Sequence, residues 1–275
     1  MVYMTFNSSC SYAGVANMLA QYHLTVDDRA IAMNMRLPYL FTYEDGIYMA
    51  GPMLQSADWF NLYLNPIGFQ MVETAVPAEQ VTNYLKCQKT AMLGVKSEHG
   101  GKHAVVYIGN RNDQLLFLNN KWEHDPAPEQ ITFTETELLK RIEPTTMIAT
   151  LNQITPKKVD LSGKLERSIS VIRKNLSEIQ EVCNNEETVG ALRSKLNTLF
   201  RPLLLDAITM LGLLGEIELS QQLTEIQRSF LAALKQDSTA VIMLGNYLPI
   251  KELTDAAERY ICLITKELSS TNLYG

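Results

Sequence analysis

The sequence predicts an α+β fold in its first half and an all-α helical bundle in its second half. Up to about residue 155, helices come first, and a set of strands joined by Pro/Gly turns follows. The polar segment "NQITPKKVD" (152–160) then contains a proline and is typical of a linker. From residue 161 onward, almost every stretch has apolar residues at helical spacing. We therefore expect one domain at residues 1–152 and a helical domain at residues 153–275.

The first half begins with helices. Apolar spacing predicts helices over 12–22 and 28–35, and Ser56 is expected to cap a third helix that ends before Gly68. Between them, "YEDGIYMAGPM" (43–53) is predicted as a loop. The later elements are strands in "FQMVETAV" (69–76), "TAMLGVKS" (90–97), "KHAVVYIGN" (102–110), "QLLFLNN" (114–120), the start of "PEQITFTETELLKRI" (128–142) and "PTTMIATLN" (144–152), with helices over 77–87 and after a Thr134 or Thr136 cap.

The second half is predicted to contain five helices. The first covers 161–182, and the second covers 187–214 with a kink or break near Phe200, because Pro202 costs about 3 kcal/mol in a helix interior. The others are predicted over 215–236, around 239–245 and over 249–268. Within the second helix, "LLLDAITMLGLLG" is nearly all apolar. This stretch is too short to span a bilayer, so a buried core helix is the favoured interpretation and a homodimer interface is the second.

Composition limits the classes of partner. The net charge of −6 argues against nucleic acid and against an anionic membrane surface, since both are held mainly by an excess of Lys and Arg. The four cysteines have no metal-ligand spacing with each other or with histidine, so we expect no metal and no other cofactor. The start has no signal peptide pattern and the chain has no apolar run of membrane-spanning length, so a cytoplasmic protein with reduced thiols is expected.

One cysteine stands where its chemistry would matter. Cys10, in "FNSSCSYAGVANMLAQYH" (6–23), directly precedes a predicted helix. A thiol at a helix N-terminus lies near unpaired N–H groups and the positive end of the helix dipole, which favour the thiolate. Taken alone, Cys10 fits a small buried apolar residue as well, and both interpretations stay open. Cys87, Cys183 and Cys262 are interpreted as core residues.

A histidine and an asparagine stand at the ends of a predicted hairpin. His103 opens the apolar strand "HAVVYIG", and the returning strand ends in Asn119 and Asn120. An asparagine beside an imidazole can orient the ring and fix its tautomer. Because only alternate residues share a sheet face, one of the two asparagines, not both, is expected to face His103.

A Cys opening a helix, a His opening a strand and an Asn closing the next strand, in this order, resemble the papain-like cysteine peptidase superfamily. The segments "CSYAGVANMLAQYH" and "KHAVVYIGNRNDQLLFLNN" are similar to bacterial double-glycine leader peptidases and to the N-terminal domain of butirosin-type acyltransferases, which take an acyl group from a carrier-protein thioester. The resemblance covers about residues 1–150. It implies a papain-like domain, and the position of the family's third residue favours Asn119 over Asn120.

The resemblance implies thiol-dependent acyl chemistry on a peptide, another amide or an acyl-carrier thioester. Cys10 would be the nucleophile, His103 the general base and acid, and Asn119 the residue that orients His103. The family's upstream glutamine is missing, because no glutamine precedes Gln21. Its place in the oxyanion hole would fall to Asn7 or Thr5, beside the Cys10 N–H, and one such donor is worth about 2.7–4 kcal/mol in the transition state. Asn7 is the expected donor.

Two features leave the function open. The alternative to an enzyme is a catalytically inactive papain-like module that binds or scaffolds a partner. The loop in "VKSEHGGKHA" (95–104) fits either a mobile segment beside the active site or a plain hairpin turn. The aromatic stretch at 41–63 fits either the wall of a substrate cleft or ordinary core packing.

Overall fold

The computed structural model describes residues 1–96 and 101–273. In chain order, its helices and strands are α1 (Cys10–Ala20), α2 (Asp28–Asn34), β1 (Phe41–Glu44), β2 (Ile47–Ala50), α3 (Ala57–Leu64), β3 (Phe69–Pro77), α4 (Ala78–Lys86), β4 (Ala91–Lys96), β5 (Lys102–Arg111), β6 (Gln114–Asn119), β7 (Gln130–Phe133), α5 (Glu135–Arg141), β8 (Thr145–Gln153), α6 (Ser162–Asn184), β9 (Glu186–Thr188), α7 (Val189–Ser194), α8 (Ala207–Leu214), α9 (Ile217–Ala233), β10 (Val241–Met243) and α10 (Ile250–Leu273).

The chain forms two compact units that do not follow a single cut in the sequence. The first comprises Met1–Met35 and Gln55–Val159, and the second comprises Arg36–Leu54 and the chain from Asp160 onward. The segment 36–54 therefore packs within the helical unit, although its neighbours on both sides belong to the first. The assignment of a papain-like domain to 1–152 and of a helical domain to 153–275 stays a prediction.

The first unit is built around a six-stranded sheet with the order β3-β8-β4-β5-β6-β7, and all its neighbouring strands are antiparallel. Apolar side chains at alternate positions of the strands form a core with α4 and α5, as period-two spacing requires. That core contains Val81, Leu85, Leu93, Val105, Phe117 and Leu138 among others. The predicted α+β class, with helices before an antiparallel sheet, is confirmed.

Helix α1 is the central helix of this unit. Its residues from Ser11 to Leu19 are all buried. A helix that is apolar all round is stable only when it is surrounded by protein. Gly14 permits a close approach to the sheet, because a methyl group there would lie 2.8 Å from Asn120 Nδ2 and would also strike the sulfur of Met92. Any side chain at this point of α1 would therefore displace the side chains of Met92 and Asn120.

The second unit is mainly helical, as predicted. The break at Pro202 is confirmed, since the chain between α7 and α8 forms two π-helical stretches, Leu196–Phe200 and Pro202–Asp206. The hairpin of β1 and β2 belongs to this unit, and the backbone N–H of Phe41 donates to Ser168 Oγ on α6 at 2.9 Å. No helix within the described residues is long and apolar enough to cross a membrane.

Two sequence expectations about secondary structure are wrong. The stretch 43–53, expected as a loop, contains most of the β1–β2 hairpin, whose turn residues Asp45 and Gly46 both have positive φ. The short helix expected around 239–245 is mainly strand β10, which pairs with β9. In the first unit, Thr134 is the cap of α5 and forms a complete capping box with Glu137.

Candidate active site

Cys10 is the first residue of α1. Its backbone N–H therefore has no acceptor within the helix, and the thiol lies at the positive end of the helix dipole. Ser9 occupies the cap position, but its side chain makes no capping hydrogen bond. The Ser9 hydroxyl donates instead to Asp28 Oδ2 at 2.7 Å. The N-terminus of α1 is therefore left without a side-chain acceptor from Ser9.

Asp28, at the start of α2, fixes the turn that leads into Cys10. Its fully buried carboxylate accepts hydrogen bonds from the Thr5 N–H at 2.7 Å, the Thr5 hydroxyl at 2.6 Å and the Ser9 hydroxyl at 2.7 Å. These donors lie on both sides of Asn7, which is exposed. Charged acceptors form the stronger hydrogen bonds in proteins, so one carboxylate holds both ends of this turn.

His103 and Asn119 are in direct contact. His103 Nε2 lies 2.9 Å from Asn119 Oδ1. The Asn119 amide is oriented independently, because its Nδ2 donates to the Pro128 carbonyl at 2.9 Å. Oδ1 must therefore face the ring, so Nε2 carries a proton and Nδ1 remains as the nitrogen for the thiol. Asn119 pairs with Val105, two residues from His103, so the contact runs diagonally across the two strands.

Asn120 has a different role from its neighbour. It is fully buried, donates through Nδ2 to the Ala104 carbonyl at 3.0 Å and accepts through Oδ1 from Asn17 Nδ2 on α1 at 3.0 Å. This buried amide bridge joins the helix that carries Cys10 to the strand that carries His103. The expectation that one of the two asparagines faces His103 agrees with this arrangement.

The ionisation of Cys10 and His103 is coupled. Burial raises the pKa of the Cys10 thiol, but hydrogen bonds from His103 and from the Ala104 N–H, the charge of His103 and a hydrogen bond from Ser11 lower the pKa below its ordinary value overall. Burial lowers the pKa of His103, but the hydrogen bond and charge of Cys10 and the hydrogen bond to Asn119 raise it overall. A thiolate beside an imidazolium is the state that these contacts favour.

Asp125 adds a negative charge near His103 and contributes to its raised pKa. The loop of Asp125 is held by Lys121, which is nearly buried and donates through Nζ to the Asp125 carbonyl at 2.7 Å. Sequence reasoning missed Asp125, because nothing in "KWEHDP" distinguishes its carboxylate from a solvated one. It also missed Asp28, which lies well downstream of Cys10 in a short polar stretch.

The two candidates for the oxyanion hole differ in their surroundings. The Thr5 hydroxyl is engaged by Asp28 and is therefore not directed to a substrate. Asn7 lies at the exposed tip of the turn, three residues before Cys10. Its role as a donor stays a prediction. Residues 97–100, in the loop predicted beside the site, lie outside the described residues, and within the described part no group of three or more metal-ligating side chains is found.

Sequence comparisons add no family: no protein-family model matches the chain, and no curated protein matches it significantly. The search of solved structures gives matches.

The chain is similar to peptidase domains. One is the peptidase domain of Streptococcus ComA, a bi-functional ABC transporter involved in a quorum sensing pathway, at 12% identity and a TM-score of 0.39 over 54% of this chain and 96% of that one. The Streptococcus mutans ComA peptidase domain gives 12% and 0.33, over 55% and 98%. A putative C39-like peptidase from Bacillus anthracis gives 12% and 0.36, over 56% and 95%.

Proposed function

We propose that this chain is a papain-like cysteine enzyme that transfers an acyl group from an amide or a thioester through Cys10. The observation that carries the proposal is the chain of contacts from the Pro128 carbonyl through Asn119 to His103 and on to the thiol. Each contact fixes the proton position of the next group. A buried cysteine with a purely structural role would need none of them.

The proposed reaction begins from the thiolate–imidazolium pair. The Cys10 sulfur attacks the acyl carbon, and the carbonyl oxygen becomes an oxyanion that the Cys10 N–H and Asn7 would hold. His103 gives its proton to the leaving amine or thiol, which departs as the acyl-enzyme forms. His103 then takes a proton from water or an acceptor amine, which attacks the acyl carbon and releases Cys10. Asn119 keeps the imidazole in the correct tautomer throughout.

Substrate and location follow from the same proposal. The substrate class is a peptide, another amide or an acyl-carrier thioester, and the helical unit would provide a docking or dimer surface. A reducing compartment keeps a thiol nucleophile available, which is consistent with a proposed cytoplasmic location, and all four cysteines are free in the structure. Hydrolysis and acyl transfer differ only in the nucleophile that takes the acyl group from Cys10.

The first test measures thiolate formation without any substrate. Cys10 alkylation by iodoacetamide, followed from pH 4 to 9 by mass spectrometry of the Cys10 peptide, should reach half its plateau rate at a lower pH than an ordinary thiol does. His103→Ala should shift that point upward, because the thiolate loses a hydrogen bond and a positive neighbour and the pKa of the thiol rises. Reading the peptide separates Cys10 from Cys87 and Cys262, which are exposed; of the three cysteines expected in the core, only Cys183 is buried. If Cys10 behaves as an ordinary thiol, the binding-module alternative is favoured.

The second test looks for the acyl-enzyme. A small acetyl thioester should add one acetyl group to Cys10, and added glycinamide should accelerate deacylation only if the enzyme transfers to amines. Cys10→Ser should not be acylated at a comparable rate, and His103→Ala should react about 10²–10⁴-fold more slowly. If Cys10 forms a thiolate but is not acylated, Cys10 is a reactive cysteine and the proposed acyl-transfer activity is wrong.

A further inference from the structure

A buried ammonium group lies in the loop that joins β6 to β7 (residues 120–129). Lys121 is only 7% exposed, and its Nζ donates to the Asp125 carbonyl at 2.7 Å. The carbonyls of Trp122 and Glu123 lie 3.3 Å and 3.5 Å from the same Nζ. A lysine ammonium has three protons to donate, and the loop curls around it so that each proton has a main-chain acceptor. The loop thus compensates the charge of a side chain that it keeps out of water.

Prolines limit the backbone hydrogen bonds of this loop. Pro126 and Pro128 have no N–H, so the part of the loop that returns to the sheet cannot be held by consecutive main-chain donors. A side chain holds it instead, because Asp125 Oδ1 accepts from the Ala127 N–H at 2.8 Å. Lys121 therefore fixes the Asp125 carbonyl, and Asp125 fixes the residue that precedes Pro128.

Pro128 is the point at which the loop contacts the predicted triad. Its carbonyl accepts from Asn119 Nδ2 at 2.9 Å, and the adjoining Glu129 carbonyl accepts from the Asn119 backbone N–H at 2.8 Å. Asn119 Oδ1 in turn lies 2.9 Å from His103 Nε2. If the Pro128 carbonyl were displaced, the Asn119 amide could turn and present Nδ2 to the ring, which would favour the other imidazole tautomer. A continuous series of contacts therefore joins the Lys121 ammonium to the His103 ring.

We propose that Lys121 is a positioning residue of the candidate active site, which holds the β6–β7 loop in the shape that keeps the Asn119 amide correctly oriented toward His103. A methionine of similar length would fill the same space without the cost of burying a charge, so the three donors are what the loop requires. The inference rests on the proposed function, because it takes His103 to act as the base for Cys10.

The first test measures the tautomer of His103 and needs no substrate. It uses the Cys10→Ala protein, because a thiolate would itself compete for a ring proton. With ¹⁵N-labelled histidine, a long-range ¹H–¹⁵N spectrum at a pH where the ring is neutral distinguishes the Nε2–H form from the Nδ1–H form. Adding Lys121→Met should lower the ratio of Nε2–H to Nδ1–H about tenfold, because the Asn119 amide is no longer fixed. The sequence has four histidines, so the His103 signal is assigned by its loss in His103→Ala.

A matched variant separates positioning from charge. Lys102→Met removes a positive charge directly beside His103, but the Lys102 side chain is 65% exposed, with Glu143 Oε1 3.9 Å from Nζ. This variant should leave the tautomer ratio unchanged within about twofold, since an exposed pair contributes little. An equal shift from both lysine variants, or an unchanged ratio in Lys121→Met, would overturn the inference. Thermal melting checks that each variant folds. Should Lys121→Met not fold, Asp125→Ala breaks the next contact of the series and should lower the ratio about threefold.

The second test connects the loop to the reaction. At saturating acetyl thioester, Lys121→Met should slow acylation of Cys10 about tenfold, while the half-saturating concentration changes less than about twofold. In the Asn119→Ala background, the same substitution should slow acylation less than about twofold further, because the residue through which Lys121 acts is already missing. Equal slowing in both backgrounds would show that Lys121 does not act through Asn119. If the unmodified protein is not acylated at all, the proposed function fails, whereas the tautomer ratio still decides the role of Lys121.

Discussion

Two adjacent asparagines at the end of β6 have different structural roles. Asn119 contacts His103 and is itself oriented by the Pro128 carbonyl, whereas Asn120 is buried between α1 and β5. The first fixes the orientation of the His103 imidazole, and the second joins the backbone of β5 to α1. Because the side chains have the same chemistry and neighbouring positions, each serves as the control for the other.

Asn119→Ala and Asn120→Ala should therefore separate activity from stability. Asn119→Ala should lower the acylation rate of Cys10 about tenfold or more, because His103 loses its tautomer control, with a change of less than about 1 kcal/mol in unfolding free energy. Asn120→Ala should destabilise the protein by about 2–3 kcal/mol, since the Ala104 carbonyl and Asn17 lose buried partners. Urea titration and acylation kinetics measure the two effects. The reverse pattern would contradict the assignment of Asn119.

At the residue scale, the sequence alone identifies only those candidate site residues that stand at the end of a predicted helix or strand. Cys10 is visible because it opens a helix, and His103 and Asn119 because hairpin ends meet. Asp28 could not be found in this way, since its contacts with Thr5 and Ser9 depend on how separate elements pack. The sequence does not show whether a polar side chain in a loop is hydrogen-bonded in the interior or solvated at the surface.

At the element scale, the turn before α1 is fixed by the clamp at Asp28. The turn contains Ser8, which has a φ of 61°, in the left-handed region that is unfavourable for a serine. The Ser9 N–H donates to the Phe6 carbonyl at 3.2 Å, and the carboxylate of Asp28 binds both flanks. The clamp therefore maintains a strained backbone directly upstream of Cys10.

Asp28→Ala should destabilise the protein by about 3 kcal/mol, because three hydrogen-bond donors lose their buried acceptor. It should also slow acylation of Cys10 in the folded fraction, since the turn that carries Asn7 loosens. Asp27→Ala is the matched control, because Asp27 is exposed and only caps α2, with the Ala30 N–H at 2.6 Å. Its cost should be about 1 kcal/mol. Equal costs for the two variants in urea titration would show that Asp28 is not a clamp.

The elements that sequence reasoning missed are small and paired over long distances. Two glycines and a proline in "YEDGIYMAGPM" favour a loop there, although the Asp45–Gly46 pair is a hairpin signal. Strand β10, Val241 to Met243, is too short for an alternating pattern, and its partner β9 lies far away along the sequence. Period and capping residues identify long helices well, whereas a three-residue strand is defined only by its partner.

At the scale of the whole molecule, stability should depend on pH through a buried carboxyl group in the helical unit. Burial raises the pKa of Asp206 to about 6, against the opposing effect of Arg201, whose Nε lies 3.1 Å from Oδ2. At pH values between the pKa of Asp206 in the unfolded chain and its pKa in the folded protein, the folded state holds a proton that the unfolded state has lost. Stability therefore falls as the pH rises through this window and is level above it.

Asp206→Asn should remove this contribution. The difference in unfolding free energy between Asp206→Asn and the unmodified protein should change by about 2 kcal/mol in favour of the variant from pH 4.5 to pH 7.5. Taking the difference at each pH cancels the contribution of His103, whose raised pKa also stabilises the folded state at low pH. Urea titrations at the two pH values measure the effect. A difference that is independent of pH would show that Asp206 ionises with an ordinary pKa.

The split of the second unit into 36–54 and the chain from Asp160 onward has a consequence during biosynthesis. The ribosome releases the hairpin β1–β2 long before α6, which carries Ser168 and Glu178, the hydrogen-bond partners of Phe41 and Tyr48. About a hundred further codons must be translated before β1 and β2 can pack against α6. For the same reason, a truncated protein that stops near residue 152 would keep 36–54 as an orphaned, partly apolar segment and would be prone to aggregate. A stable fragment of the first unit must therefore either lack that segment or retain the helices that receive it.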